Sequence, residues 1–162
     1  MPRDDVHVNR AIADDAPLIA RLLELYTHDL SDVFPHVVLD DDGRFGYPHL
    51  AEYWTAADRH ALVFRTAGRV AGFALVTGTH DAGFDMTEFF VLKQFRGTGV
   101  GRCAAQLLWT MLPGRWTVRV SVRNASAQRF WAAVISRATD SPVDSSLIGD
   151  WRHYRFTPRT AT

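Results

Sequence analysis

Two rhythms of apolar positions alternate along this chain. Val6 and Val8 alternate with polar residues and, with the looser Ala11-Ile12, predict a strand over 6–12. Asp14 or Asp15 caps a following helix, with Pro17 near its first turn, and Ile19, Leu22, Leu23, Tyr26 and Leu30 form its apolar face. No period runs from Ser31 to Tyr47, where Pro35, Gly43, Gly46 and two acidic stretches mark a long loop of the kind that is usually functional or mobile. Residues 48–57 predict a short helix that turns Leu50, Tyr53 and Trp54 inward. Leu62–Arg65 and Val70–Val76 read as a hairpin about Ala67-Gly68-Arg69, its second arm apolar on both faces like a central strand. A turn over 77–85 leads into Met86-Thr87-Glu88-Phe89-Phe90-Val91-Leu92, a buried strand. Val100, Cys103, Ala104, Leu107, Leu108, Met111 and Leu112 then recur at helical spacing until Pro113-Gly114 stops the helix. Trp116, Val118, Val120 and Val122 alternate as a fifth strand, Ala127, Phe130, Trp131 and Val134 mark another helix, and Trp151–Phe156 is a last strand. No repeat, linker or low-complexity segment divides the chain, so residues 1–162 read as one domain of mixed α/β class.

Composition narrows the function classes. Hydrophobic residues make up 47% of the chain, enough for a real core and against disorder. Lys+Arg and Asp+Glu balance at 18 each, which gives no support for nucleic-acid or membrane partners. Cys103 is the only cysteine, so no intrachain disulfide forms and a reducing cytoplasm is expected. Cys103 sits on the apolar stripe of its helix and reads as packing, not as a nucleophile. The histidines are scattered without ligand spacing, and no metal is expected. The N-terminal stretch has no apolar signal region, and no apolar run approaches the ~20 residues needed to span a bilayer.

The glycine run Arg96-Gly97-Thr98-Gly99-Val100-Gly101 lies between a strand and a helix start. That junction aims unsatisfied N–H groups and the positive end of a helix dipole at one spot, the setting of a phosphate or pyrophosphate. A phosphate loop of the Gly-x-x-x-x-Gly-Lys type is excluded because Arg102-Cys103 stand where Lys and Ser would be needed. A Gly-x-Gly-x-x-Gly dinucleotide fingerprint fails because the third glycine comes one position early and past the chain's midpoint. Arg/Gln-x-x-Gly-x-Gly/Ala fits Arg96, Gly99 and Gly101 without a gap. A tight connection without a ligand is the plainer reading of the same glycines.

The last pattern resembles the coenzyme A pyrophosphate loop of the GNAT acetyltransferase superfamily. The resemblance extends to Phe90-Val91-Leu92-Lys93-Gln94-Phe95-Arg96, similar to that family's strand-to-loop segment, and to Asn124-Ala125-Ser126-Ala127-Gln128-Arg129-Phe130-Trp131, similar to its Asn-x-x-Ala-x-x-aromatic helix start. It implies a central mixed, mostly antiparallel β-sheet flanked by helices on both faces. It also implies transfer of an acetyl group from acetyl-CoA to a primary amine of a small molecule by direct attack. In such a fold the strands before and after the loop splay apart. The backbone of Phe90, Val91 and Leu92 would then meet the pantetheine arm. Gly97, Thr98, Gly99, Val100 and Gly101 would hold the pyrophosphate, with Arg96 and Arg102 either adding charge-assisted bonds or standing as ordinary surface arginines. Asn124 would cap its helix, contact the CoA arm, or both.

Glu88 is the candidate base, a lone carboxylate in an apolar strand whose burial raises its pKa toward a useful range. A solvated edge or an arginine partner is the alternative. Many members of the family carry a tyrosine where Phe130-Trp131 stand here, and an indole N–H is no acid at neutral pH. Trp131 therefore reads as a wall against the acyl group, and the thiolate leaves unaided or takes its proton from Tyr26, Tyr47 or Tyr53. Acceptor specificity in the family lies in the first helices and loops, here 26–54, where Asp29, Tyr47 and Tyr53 are candidate contacts for a cationic amine. A solvated acidic loop over a small satellite core is the plainer reading. An acyl-CoA-binding or regulatory module of the same fold, without transfer, is the alternative function. The aromatic-rich strands leave room for a homodimer.

Overall fold

In the computed structural model, which describes residues 5–159, the strands are β1 (Val6–Arg10), β2 (Arg59–Thr66), β3 (Arg69–Thr79), β4 (Gly83–Val91), β5 (Trp116–Ser121), β6 (Asp144–Ile148) and β7 (Trp151–Phe156). The helices are α1 (Ala16–Ser31), α2 (Val100–Met111) and α3 (Ala125–Ser136). Residues Met1–Asp4 of the stretch read above for a signal segment lie outside the described residues. The strands form one sheet in the order β1-β2-β3-β4-β5-β7-β6, antiparallel at every junction except the parallel β4–β5 pair. This is the mixed, mostly antiparallel sheet with helices on both faces that the resemblance implies.

The two faces carry separate cores. α1 lays Ile19, Leu22 and Leu23 over Val63, Phe73, Leu75 and Phe90. On the other face, α2 and α3 pack Ala104, Leu108, Trp131 and Val134 over Leu62, Phe64, Ala74, Val76, Met86 and Val118. β3 is buried throughout its middle because it sits between both layers, as its unbroken apolar run predicts.

Five features differ from the sequence reading. β1 ends at Arg10, not at Ile12, because the Ile12 N–H is taken by the Asp15 carboxylate at 2.9 Å, which turns the chain into α1. The helix expected over 48–57 is a single 3₁₀ turn, Leu50–Trp54. The turn expected over 77–85 shrinks to three residues, because β3 and β4 stay paired through Thr79 and Gly83. β6 was not anticipated; four of its five residues are exposed, so it lacks the apolar alternation that marks a strand. Val122, expected to extend the apolar face of β5, falls beyond the end of that strand and is exposed.

Candidate active site

β4 and β5 are partners only where Phe84–Met86 face Trp116–Val118. Beyond Met86 each strand keeps its other neighbour, β3 for β4 and β7 for β5, and the two part company. A cavity of about 510 Å³ opens in the gap, with Glu88 and Phe89 on one side, Val120, Ser121 and Asn124 on the other, and Trp131 at its wall.

Register decides which backbone groups of β4 face this gap. The Leu92 N–H donates to Ala71 O at 2.8 Å, so Leu92 is bonded to β3. In an antiparallel ladder bonded and non-bonded positions alternate, which gives Phe90 to β3 and leaves Phe89 and Val91 turned to the open side. The Phe90 carbonyl does point at β3: it lies only 2.0 Å from where a Cβ on Gly72 would stand. Of the three residues expected to offer backbone groups, Val91 alone does so, and only through its N–H, because its carbonyl accepts from Arg96 Nε at 2.7 Å. Phe90 and Leu92 are corrected to partners of β3, and Phe89 takes their place.

A bulge orients the carboxylate. Leu75 faces Glu88 while Val76 faces Met86, so Thr87 is an extra residue on β4. Phe84 and Met86 point to the α2–α3 face, and after the bulge Phe89 and Val91 do. An unbulged strand would have sent Glu88 to that same face with Met86. Instead it turns toward α1, where the Tyr47 hydroxyl donates to Glu88 Oε1 at 3.0 Å. Burial pushes the Glu88 pKa up, against the opposing pull of hydrogen bonding from Tyr26 and Tyr47 and of the Arg119 charge. Burial also drives the phenols of Tyr26, Tyr47 and Tyr53 up, with the Glu88 charge adding to each. All three hydroxyls are therefore protonated donors near neutral pH.

The glycine loop leads into α2 with no side-chain cap. Its first intrahelical bond runs from Cys103 N–H to Gly99 O at 3.0 Å, so the N–H groups of Val100, Gly101 and Arg102 have no acceptor within the helix. Gly97 and Gly99 take positive φ, of 75° and 92°. Gly101 serves packing: a Cβ there would meet the Phe130 ring at 3.1 Å and Val91 at 3.4 Å. The Thr98 hydroxyl turns back to Phe95 O at 2.6 Å.

Arg96 is braced within the protein. Its Nε donates to Val91 O at 2.7 Å, its Nη2 donates to Asp29 Oδ2 at 2.6 Å, and its guanidinium lies 5.4 Å from the Phe90 ring centroid. Asp29 also pairs with Lys93 at 3.2 Å. Burial acts to raise the Asp29 pKa, but these two cations outweigh it and the net shift is down. Asp29 is thus a tie between α1 and the loop, and it does not line the cavity. Arg102 enters no ion pair among the described residues. Asn124 caps α3, its Oδ1 accepting from the Ala127 N–H at 3.0 Å, and it also lines the cavity. Trp131 packs edge-on against Phe89 with ring centroids 5.0 Å apart. Tyr53 lies on the α1 face beside Arg59, whose guanidinium is 5.8 Å from its ring.

Sequence reasoning missed several parts of this site. Ile148, Trp151 and His153 line the cavity beside Leu30 and Phe34, which belong to the 26–54 stretch expected to meet the acceptor, and Phe34 stacks on Trp151 at 6.0 Å between centroids. The β6–β7 hairpin that carries three of them has one signal in the sequence, a two-residue Gly149-Asp150 turn joining paired Ile148 and Trp151. The acidic run 40–42 is organised from within: Asp40 Oδ1 accepts from the Asp42 and Arg44 N–H groups, each at 2.9 Å. Among the described residues no cluster of His, Cys, Asp and Glu could hold a metal ion, and no helix is long and apolar enough to cross a membrane.

Residues 19–134 match the profile of the acetyltransferase (GNAT) family. Uncharacterized N-acetyltransferases of Mycobacterium bovis and Mycobacterium tuberculosis are 29% identical over 104 residues, a span of 60% of this chain and 65% of theirs. The match therefore covers slightly less than two thirds of those relatives' length. An acetyltransferase from Thermus thermophilus has the same fold, with a TM-score of 0.72 at 15% identity over 94% of this chain and 97% of that one. The PaiA N-acetyltransferase of Thermoplasma acidophilum, solved in complex with coenzyme A, aligns with a TM-score of 0.66 at 6% identity over 94% of this chain and 98% of that one.

Proposed function

The chain belongs to the acetyltransferase (GNAT) family, and from that premise we propose that it transfers an acetyl group from acetyl-CoA directly to the amine of a small molecule. The observation that carries this reading is the parting of β4 and β5 just before Glu88, which puts a proton acceptor and free β4 backbone groups on one cavity. Acetyl-CoA lies along the open edge of β4, its amides paired with the backbone of Phe89 and the N–H of Val91 and its pyrophosphate on the free N–H groups of 100–102. Arg102 is the side chain available to the phosphates, because Arg96 is committed to Asp29 and Val91.

The amine must lose a proton to attack the thioester carbonyl. Glu88 accepts it, directly or through water, with its carboxyl tuned upward by burial. The new C–N bond forms, the C–S bond breaks, and the coenzyme leaves as a thiolate. Trp131 offers no acid in the place where many family members carry tyrosine, so the thiolate leaves unaided or takes a proton from a nearby phenol. The acceptor meets Leu30, Phe34, Ile148 and Trp151 beside Glu88, which suits a small amine with an apolar portion. Outside the cavity, Asp29 is engaged by two cations and Asp40 by its own turn.

Calorimetry with acetyl-CoA, CoA, ATP and NAD tests the first step; micromolar, CoA-selective binding is the expected result. Amine-dependent release of CoA thiol then tests transfer, and Glu88→Gln should lower kcat by about 10²–10⁴-fold while leaving acetyl-CoA affinity near that of the native protein. The missing tyrosine favours a second reading, a CoA-binding module without transfer. CoA-selective binding with no thiol release from any amine would establish that reading instead.

A further inference from the structure

We propose that Glu24 is a positioning residue for the acetyl transfer: its carboxylate clamps the loop after α1 so that the Tyr47 hydroxyl meets Glu88. The inference rests on the reading of Glu88 as the base.

The segment between α1 and the 3₁₀ turn contains no strand or helix, yet Tyr47 near its end makes a specific bond across 41 positions of sequence to Glu88. A tyrosine on an untethered loop would not hold a hydroxyl within hydrogen-bond distance of one carboxylate oxygen, because ordering each residue costs about 1–2 kcal/mol of backbone entropy. Glu24 supplies the tether. Its Oε2 accepts from the Phe45 N–H at 2.8 Å and its Oε1 from the Gly46 N–H at 2.9 Å, so both oxygens are used on the two residues before Tyr47. One turn further along α1, the His28 ring meets Phe45 edge-on with centroids 6.3 Å apart. The residue is thus held by backbone and by side chain from adjacent turns of the same helix. Charge-assisted bonds from N–H to carboxylate are the stronger kind, and there are two in parallel.

The helix that provides the tether also provides Tyr26, which lines the same cavity as Glu88 and bears on its carboxyl from the α1 side. α1 therefore sets both phenols around one carboxylate, Tyr26 from its own face and Tyr47 through Glu24. The other groups bearing on Glu88 come from elsewhere: Arg119 on β5, paired with Asp85, His153 on β7 across the cavity, and Tyr53 with Arg59 beside Tyr47. None of these touches the Glu24 clamp. A phenol that donates to the ionised carboxyl favours that form. Removing it moves the titration of Glu88 to higher pH.

The test follows the Glu88 carboxyl by carbon NMR in protein labelled at the glutamate side chain, the resonance being assigned by its loss in Glu88→Gln. Tyr47→Phe should move the Glu88 midpoint up by about one pH unit, the size expected for one hydrogen bond to a charged acceptor. Glu24→Ala should move it the same way by releasing the loop. Glu24→Ala combined with Tyr47→Phe should move it no further than Tyr47→Phe alone, because Glu24 acts through Tyr47. Additive shifts, or a Glu24→Ala midpoint equal to that of the native protein, would overturn the proposal. Glu24→Gln, which keeps one of the two acceptors, should fall between the native protein and Glu24→Ala. The acidic limb of kcat/KM should track each midpoint. An absence of transfer in the native protein, with the coupling of midpoints intact, would sink the catalytic reading and leave the clamp standing; transfer without the coupling would sink the clamp alone.

Discussion

Glu88 and Asp29 are carboxylates with opposite electrostatic settings, and each leaves its own mark on stability. Burial raises the folded-state pKa of Glu88 above the ordinary 4.5. Below that ordinary value the residue is neutral in both folded and unfolded chains. As pH rises, the unfolded chain ionises first, so Glu88 disfavours folding increasingly until its own raised pKa is passed. The slope in that window is up to about 1.4 kcal/mol for each pH unit. Glu88→Gln has no charge to expose, so thermal melts of this variant should lack that decline between pH 4.5 and the Glu88 midpoint and should exceed the native protein above it. A native-like decline in the variant would show that Glu88 is not the group responsible. Asp29 acts in the other sense: Arg96 and Lys93 overcome the effect of burial and lower its pKa below 3.8, so its contribution is present above 3.8 and is lost as pH falls through the depressed value.

At the scale of elements, β3 and β4 form the frame on which the site depends. Gly72 permits their close approach. A Cβ there would stand 2.0 Å from the Phe90 carbonyl oxygen and 3.1 Å from the Phe64 ring, and neither backbone nor a fully buried ring can yield cheaply. Gly72→Ala should therefore cost about 3 kcal/mol or more in denaturant unfolding. A loss below about 1 kcal/mol would mean that the strands separate without penalty. This close contact leaves no sequence signal beyond a glycine in a strand, whereas the elements themselves were legible wherever apolar residues kept a period. α1, α2, α3, the β2–β3 hairpin and β4 all declared themselves through their buried faces. β6 did not, because Asp144, Ser145, Leu147 and Ile148 are exposed and contribute pairing instead of core. The bulge at Thr87 was equally silent: Glu88 stood out as the lone carboxylate of an apolar strand, but which face it would take depends on one unpaired residue. The roles of Asp29 and Glu24 lay beyond the sequence for a different reason. Their partners sit 67 and about 21 positions away, and only the packing of α1 beside the loops brings them together.

Across the whole molecule, the sheet is two antiparallel halves joined by one short parallel seam, where Phe84–Met86 meet Trp116–Val118. β1–β4 lie on one side and β5–β7 on the other, and the cavity begins where the seam ends. An extended ligand lying along β4 would continue the ladder that the strands abandon, which makes the free edge both a liability in isolation and a template for binding. The alternation of the β3–β4 ladder turns this into a residue-by-residue expectation for amide hydrogen exchange. In the free protein the amides of Phe90 and Leu92 are bonded to β3 and should exchange slowly, while those of Phe89 and Val91 face the gap and should exchange faster. Saturating acetyl-CoA should slow Phe89 and Val91 by an order of magnitude or more beyond the rise that global stabilisation gives to Phe90 and Leu92. At a concentration 100 times its Kd the ligand adds about 2.7 kcal/mol, which sets the size of that common rise. Slowing confined to Phe90 and Leu92 would reverse the assigned phase of β4. Uniform slowing of all four would mean that the ligand stabilises the fold from the glycine loop without lying along the strand, and the pantetheine path along the open edge of β4 would have to be abandoned.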